Sequence, residues 1–295
     1  MSQSTRVAGC APAELNDLSE LLAAALPWSL RDLTVTLGAV GAAPTGLAHG
    51  GALWRGQRGR FWFEIPEVAR YLVERGEQVT VEPLAGANPV DVARFLAATP
   101  SVAAFLQRGL PVLHAAVALG PGGAVLLSGD SSAGKSVLLA SLLGRGWQML
   151  SDDMAALSLG ADGAVRVLPI SDELRLWPDA DVRIEVVPTG CIVTEPVTLS
   201  RIWMLGLTNE PGVSIADITG VARFSALTRS AYNSRIAAAL LDRRANLQVL
   251  GGLANSDTPI RRLTRSRAGW TADELAETVA SDATEGADHT SSRSP

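Results

Sequence analysis

An α/β fold with a smaller, mostly β unit at its N-terminus is predicted by three features of the sequence. Residues 123–145 read as an apolar strand, a glycine-rich loop and an apolar-periodic helix, the step from which α/β proteins are assembled. Residues 30–87 carry short runs of bulky apolar residues separated by Gly- and Pro-containing turns, the pattern of strands. Apolar residues make up 47% of the 295-residue chain, enough to fill cores for two such units.

Taken in order, the first thirty or so residues are loosely organised, with one short helix in "AELNDLSELLAAAL". Strands follow in "DLTVTLGAV", "GRFWFEI", "VARYLVE" and "EQVTVEPL", which closes an N-terminal unit over residues 1–87. That unit is a candidate for acceptor recognition. The pattern turns helical at Asn88, a ready N-cap, with Pro89 in the first turn and Gly109 as a stop. A second unit spans residues 88–280. It holds strands in "PVLHAAVAL" and "GAVLLSG", a helix at about 134–145, and a strand in "WQMLSDD". Strands in "GAVRVLPI" and "ELRLW", a helical stretch "AYNSRIAAALLDRRANLQVLGGLA" and a strand-like "TPIRRLTR" come later. Residues 281–295 are small and polar and are expected to form a disordered tail.

Composition removes several function classes. The net charge is −5 and no basic block stands out, which argues against nucleic acid as a partner. Cys10 and Cys191 lie too far apart in sequence for a metal quartet, and three histidines do not make a structural zinc site. The longest apolar stretch, residues 111–129, is broken by "GPGG", so strands and a turn fit it better than a membrane helix. The N-terminus has early acids and no basic start, unlike a signal peptide, and a cytoplasmic protein is expected. The seven tryptophans are scattered and read as packing residues.

Gly129-Asp130-Ser131-Ser132-Ala133-Gly134-Lys135-Ser136 fits G-x-x-x-x-G-K-[ST] at every fixed position. Glycines let the backbone curl so that successive N–H groups face phosphate oxygens, and the helix start adds its dipole. Lys135 is the only lysine in the chain, although arginine serves everywhere else. A compact ammonium fits a narrow phosphate cradle that a planar guanidinium does not. The ligands so implied are ATP and Mg²⁺, the latter on the Ser136 hydroxyl. A GTPase would need a second lysine in N-K-x-D, which this chain lacks. Asp152 and Asp153 follow the next apolar strand, where one carboxylate can hold Mg²⁺ and the other can take a proton from an attacking hydroxyl. On its own residues, His114 in "PVLHAAVAL" reads as a buried, hydrogen-bonded core histidine.

The stretch "LHAAVALGPGGAVLLSGDSSAGKSVLLASLLGRGWQMLSDDMAAL" resembles the catalytic core of bacterial HPr kinase/phosphorylase. It shares a histidine 21 residues before the loop lysine, Arg145-Gly146 at the helix end, and paired acids beginning 17 residues after the lysine. The resemblance implies a P-loop kinase core of the HPr-kinase type. Its site would use Asp152 as general base, Lys135 on the phosphates, Ser136 on Mg²⁺ and His114 beside the acid. Asp153 and Glu173 complete the candidate metal ligands, Glu173 through an E-x-R spacing with Arg175 that "LWPDAD" follows in place of the family's glycines. "VEPLAGA", "LQRGLPVLHAAVAL", "LRLWPDA", "LTRSAYNSRIAAAL" and "PIRRLTRSR" are similar to a divergent branch that includes kinases encoded with lasso-peptide genes. That branch implies transfer to a serine hydroxyl of a peptide or small protein. The other readings are a nucleotide-gated regulatory ATP-binding module and a small-molecule kinase on the same core. Self-association is left open.

Overall fold

The computed structural model describes residues 17–130, 133–170, 174–179, 182–186, 193–267, 269 and 271–291. Helix α1 (Leu18–Ala25) starts at Asp17, whose carboxylate accepts from the Ser19 N–H at 3.0 Å. Six strands follow: β1 (Thr34–Leu37), β2 (His49–Gly50), β3 (Trp54–Gln57), β4 (Arg60–Ile65), β5 (Ala69–Glu74) and β6 (Gln78–Pro83). They form one sheet in the order β1-β6-β5-β4-β3-β2, antiparallel except for β1 beside β6. In β4, alternation places Phe61 and Phe63 on the covered face, stacked with Trp54 and tilted against Tyr71 at centroid distances near 6 Å. Strands β2 and β3 are additions that the sequence pattern did not show, because glycines break their alternation.

The helical stretch after Asn88 is two helices, α2 (Pro89–Ala97) and α3 (Thr99–Gln107), broken at Ala98. Pro100 explains the break, since it has no N–H to continue the ladder and fits only a first turn. Both helices lie on the first sheet. Val92, Leu96, Val102 and Phe105 share a core with Phe61, Tyr71, Val79 and Val81, and the Tyr71 hydroxyl donates to the Val92 carbonyl at 2.8 Å. Joined, α2 and α3 are long and apolar enough to cross a membrane, yet over half of that length is buried in this core. Helices expected to open the second unit thus complete the core of the first.

The second sheet contains β7 (Val112–Leu113), β8 (Ala115–Gly120), β9 (Gly123–Gly129), β10 (Gln148–Ser151), β11 (Ala155–Leu159), β12 (Val165–Leu168), β15 (Val197–Thr208), β16 (Val213–Asp217) and β17 (Ile260–Ser266). A separate hairpin pairs β13 (Leu174–Asp179) with β14 (Val182–Val186). The main order is β10-β8-β9-β15-β12-β11-β7. Long β15 pairs with β9 in parallel on one side; on the other it meets β12 at its start and β17 further along. Only His114 separates β7 from β8, so the sheet curls back towards its second strand at that residue.

Helices cover both faces. The core on one face joins Val117, Leu126 and Ile202 to Leu227 of α5 (Val221–Arg229) and Leu250 and Leu253 of α7 (Arg243–Asn255). On the other face, Leu127, Trp203 and Leu263 meet Leu138, Leu139 and Leu142 of α4 (Lys135–Gly144) and Leu275 and Val279 of α8 (Ala272–Ser291). Between α5 and α7, α6 (Ser234–Leu240) returns to the first core through Ile236, Ala239 and Leu240. Asp242 caps α7 and interrupts what the sequence suggested was one helix.

The expected tail needs correcting, because α8 carries helix through residues 281–291. Leu275, Ala276, Val279 and Ala283 make a stripe at helical spacing against α4 and the sheet. Asp282 adds ion pairs to Arg201 and Arg261. These contacts supply the order that composition alone did not promise.

Candidate functional site

Strand β9 ends at Gly129, where φ is 155° and a Cβ would lie 2.6 Å from the Leu205 carbonyl of neighbouring β15. Gly134, with φ 101°, takes a left-handed conformation and caps the start of α4. Both glycines of the motif are therefore required by geometry. Lys135 follows as the first helical residue, only 8% exposed, and its Nζ donates to the carbonyls of Gly129 (2.9 Å) and Asp130 (3.2 Å). Burial pulls the ammonium below the usual lysine range, while Asp153, Asp152 and Asp130 attract it and oppose that effect. Ser136 is half-buried in the same first turn. The Ala133 N–H donates to the Asp130 carbonyl at 3.1 Å and closes the loop. Ser131, Ser132 and Glu173 lie outside the described residues.

Strands β10 and β9 both run antiparallel to β8, so their carboxyl ends emerge at one edge of the sheet. Asp152 and Asp153 thereby arrive beside the loop. Asp152 is buried at 8% exposure, whereas the Asp153 side chain is 62% exposed. Strand β8 starts at the same edge, which brings in His114. Its Nδ1 lies 3.1 Å from the Asp153 carbonyl and 3.2 Å from Asp153 Oδ1. Both neighbours are acceptors, so Nδ1 carries the proton and Nε2 is the accepting nitrogen in the neutral ring. The histidine expected beside the general base thus contacts the second acid of the pair.

Two neighbours of this cluster come from distant parts of the chain. Segment 230–232 crosses the curl of the sheet: the His114 N–H donates to the Ser230 carbonyl at 2.7 Å, and Leu113 bridges Ala231. Ser230 Oγ is 2.8 Å from Ser128 Oγ, and the Tyr232 ring sits edge-on to His114 at 6.2 Å. Burial, aided by Asp153, pushes the Tyr232 phenol up to about 12. Tyr232 is one of two tyrosines in the chain, the sole sequence signal it offered. The other neighbour is Arg265, buried at the end of β17, whose Nε reaches the Ala133 carbonyl at 3.3 Å.

The ammonium, hydroxyl and carboxylates gathered here are the kinds of group that could hold a phosphate and a hard cation. Among the described residues no group of three or more His, Cys, Asp or Glu is arranged to hold a metal on protein ligands alone. A hydroxyl at Ser136 with a nearby carboxylate suits Mg²⁺, which keeps waters and phosphate oxygens in its shell. A cavity of about 710 Å³ between α5 and α7, lined by Val221, Phe224 and Leu247, contains none of these residues.

No family model matches the sequence, and no curated protein matches it. Among solved structures the chain is similar to the Hpr(Ser) kinase/phosphatase from Coxiella burnetii, at 12% identity and a TM-score of 0.36, over 61% of this chain and 98% of that one.

Proposed function

We propose that the protein is an ATP- and Mg²⁺-dependent phosphotransferase acting on a serine hydroxyl of a peptide or small protein. The observation that carries this reading is the convergence, at one sheet edge, of a buried loop lysine, two carboxylates and a histidine. A loop that only bound nucleotide would need no proton acceptor.

Bound MgATP would supply the phosphoryl group and an electrophilic phosphorus. Lys135 exchanges its two loop carbonyls for phosphate oxygens, a small movement for a flexible stem. The backbone N–H groups at the start of α4 orient the same oxygens. Ser136 and Asp153 would hold the cation, and the Nδ1–H of His114 fixes the Asp153 carboxylate. Asp152, buried close to the loop lysine, takes the proton from the acceptor hydroxyl. Positioning and charge neutralisation carry the rest of the rate. A precursor peptide with a C-terminal serine is the acceptor to try first, on the resemblance to the lasso-peptide-associated branch.

The test is mass spectrometry of candidate acceptors incubated with MgATP. One added phosphoryl group on serine is expected. Lys135→Met should lower transfer by about 10²–10³-fold and Asp152→Asn by about 10²–10⁴-fold. A larger loss in Asp153→Asn than in Asp152→Asn would move proton transfer to the His114-linked acid. ATP-dependent partner binding without transfer would favour the nucleotide-gated module.

A further inference from the structure

The charges around Lys135 do not by themselves favour a polyphosphate. One ammonium faces three carboxylates, Asp153, Asp152 and Asp130, which leaves that cluster two charges negative. A divalent cation offsets those two charges, and the anionic ligand then adds more.

Strand β17 supplies positive charge at this edge. It runs parallel to β15, which runs parallel to β9, so the ends of all three emerge together: Leu205 lies opposite both Gly129 and Leu263. Residues two apart on a strand share a face. Leu263 packs with Leu138, Leu139 and Leu142 of α4, and Arg265 therefore points to the α4 side, one step nearer the loop. The contact from its Nε to the Ala133 carbonyl joins it to the residue before Gly134 and Lys135. Its Nη1 donates to the Ser266 carbonyl at 3.0 Å. Arg265 is 6% exposed, and burial together with neighbouring Arg267 lowers its affinity for its proton. Two guanidinium groups at this strand end make it a place where a nearby anion is stabilised.

We propose that Arg265 is a second phosphate-binding cation, delivered from β17 to the polyphosphate held by the Gly129–Ser136 loop. The proposal rests on the phosphate-loop reading and adds a residue 130 positions beyond Lys135 to it. Its guanidinium fork braces the Ala133 carbonyl while presenting charge to phosphate oxygens.

Calorimetric titration of the full chain with MgATP at fixed ionic strength tests it. Arg265→Gln keeps an N–H donor for Ala133 but removes the charge. It should weaken ATP binding roughly 10- to 100-fold, as loss of charge-assisted hydrogen bonds does, without lowering the thermal midpoint of the nucleotide-free protein. Arg265→Lys keeps the charge and should stay within a few-fold of wild type. Wild-type affinity in Arg265→Gln, or an equal loss in both variants, overturns the proposal and leaves Arg265 a brace. Should Arg265→Gln not fold, Arg265→Lys decides alone: a loss beyond tenfold overturns it. Lys135→Met separates the two levels, because undiminished ATP binding there would sink the phosphate-loop reading itself.

Discussion

The two sheets bury different kinds of residue. Beneath the first lie Phe61, Phe63, Tyr71, Val73, Val79 and Val81, and its charged groups pair on the other side, where Arg70 bridges Glu64 and Glu82. Its buried polar residue, Ser101, is satisfied by the Leu96 carbonyl at 2.8 Å. Within the second sheet and its helices, Ser128, Lys135, Ser151, Asp152, Arg201 and Arg265 are all buried. Buried charge weakens a fold unless paired and hydrogen-bonded, so it persists where chemistry needs it or where an ion-pair node locks elements together. Both cases occur. Arg201 belongs to the node that ties α8 to the sheet through Asp282, whereas Lys135, Asp152 and Arg265 gather around one loop. The first sheet keeps its charges on its outer face, and the second gathers buried charge around the loop.

That contrast can be broken by substitution. Phe61→Ala should cost about 3–5 kcal/mol of stability, as large-to-small changes in a closed core do, while the protein that stays folded keeps its nucleotide affinity. Lys135→Met should act in the opposite sense, leaving the thermal midpoint unchanged or higher because a desolvated ammonium is removed. Denaturant titration of both variants checks the pair; a large stability loss in Lys135→Met would make the loop part of the scaffold.

A smaller effect sharpens the comparison through pH, because both tyrosines pack with the first core, Tyr71 inside it and Tyr232 at its margin beside His114 of the site. Tyr71 and Tyr232 are both shifted upward by burial, Tyr232 from 10.0 to about 12. Below pH 10 both phenols are protonated in the folded and unfolded chains, and neither contributes to pH dependence. Above it the unfolded chain releases its protons first, so it binds fewer than the folded chain and stability falls as pH rises. Folding measured from pH 8 to about 11 should decline over the last unit, and Tyr232→Phe should flatten the decline. A folded-state titration showing both phenols ionising near pH 10 would refute this. Smallest of all, Asn88→Ala removes the cap on the Val90 N–H (2.9 Å) and should cost about 1 kcal/mol, read as a shift in denaturation midpoint with transfer activity unaffected.

What could be read before folding was whatever depends on neighbours in sequence. The start of α2 at Asn88, strands β4 to β6, the turn into α4 and the left-handed glycine before Lys135 all follow from local sterics and short-period patterning. So did the placement of two acids at a strand end near the loop. Strand β15 escaped notice because a twelve-residue run carrying Ser200 and Arg201 does not alternate cleanly: it pairs on both sides and is covered on both faces.

Tertiary structure decided the rest. The sequence alone specified a loop that curls around phosphate and a lysine to meet it. Folding chose which acid His114 would touch, since that depends on the bend between β7 and β8. It also brought Ser230 to Ser128 across 102 residues and Arg265 to Ala133 across 132. Such separations leave no periodic trace, because each contact is set by strand order and by which face of the sheet a side chain occupies.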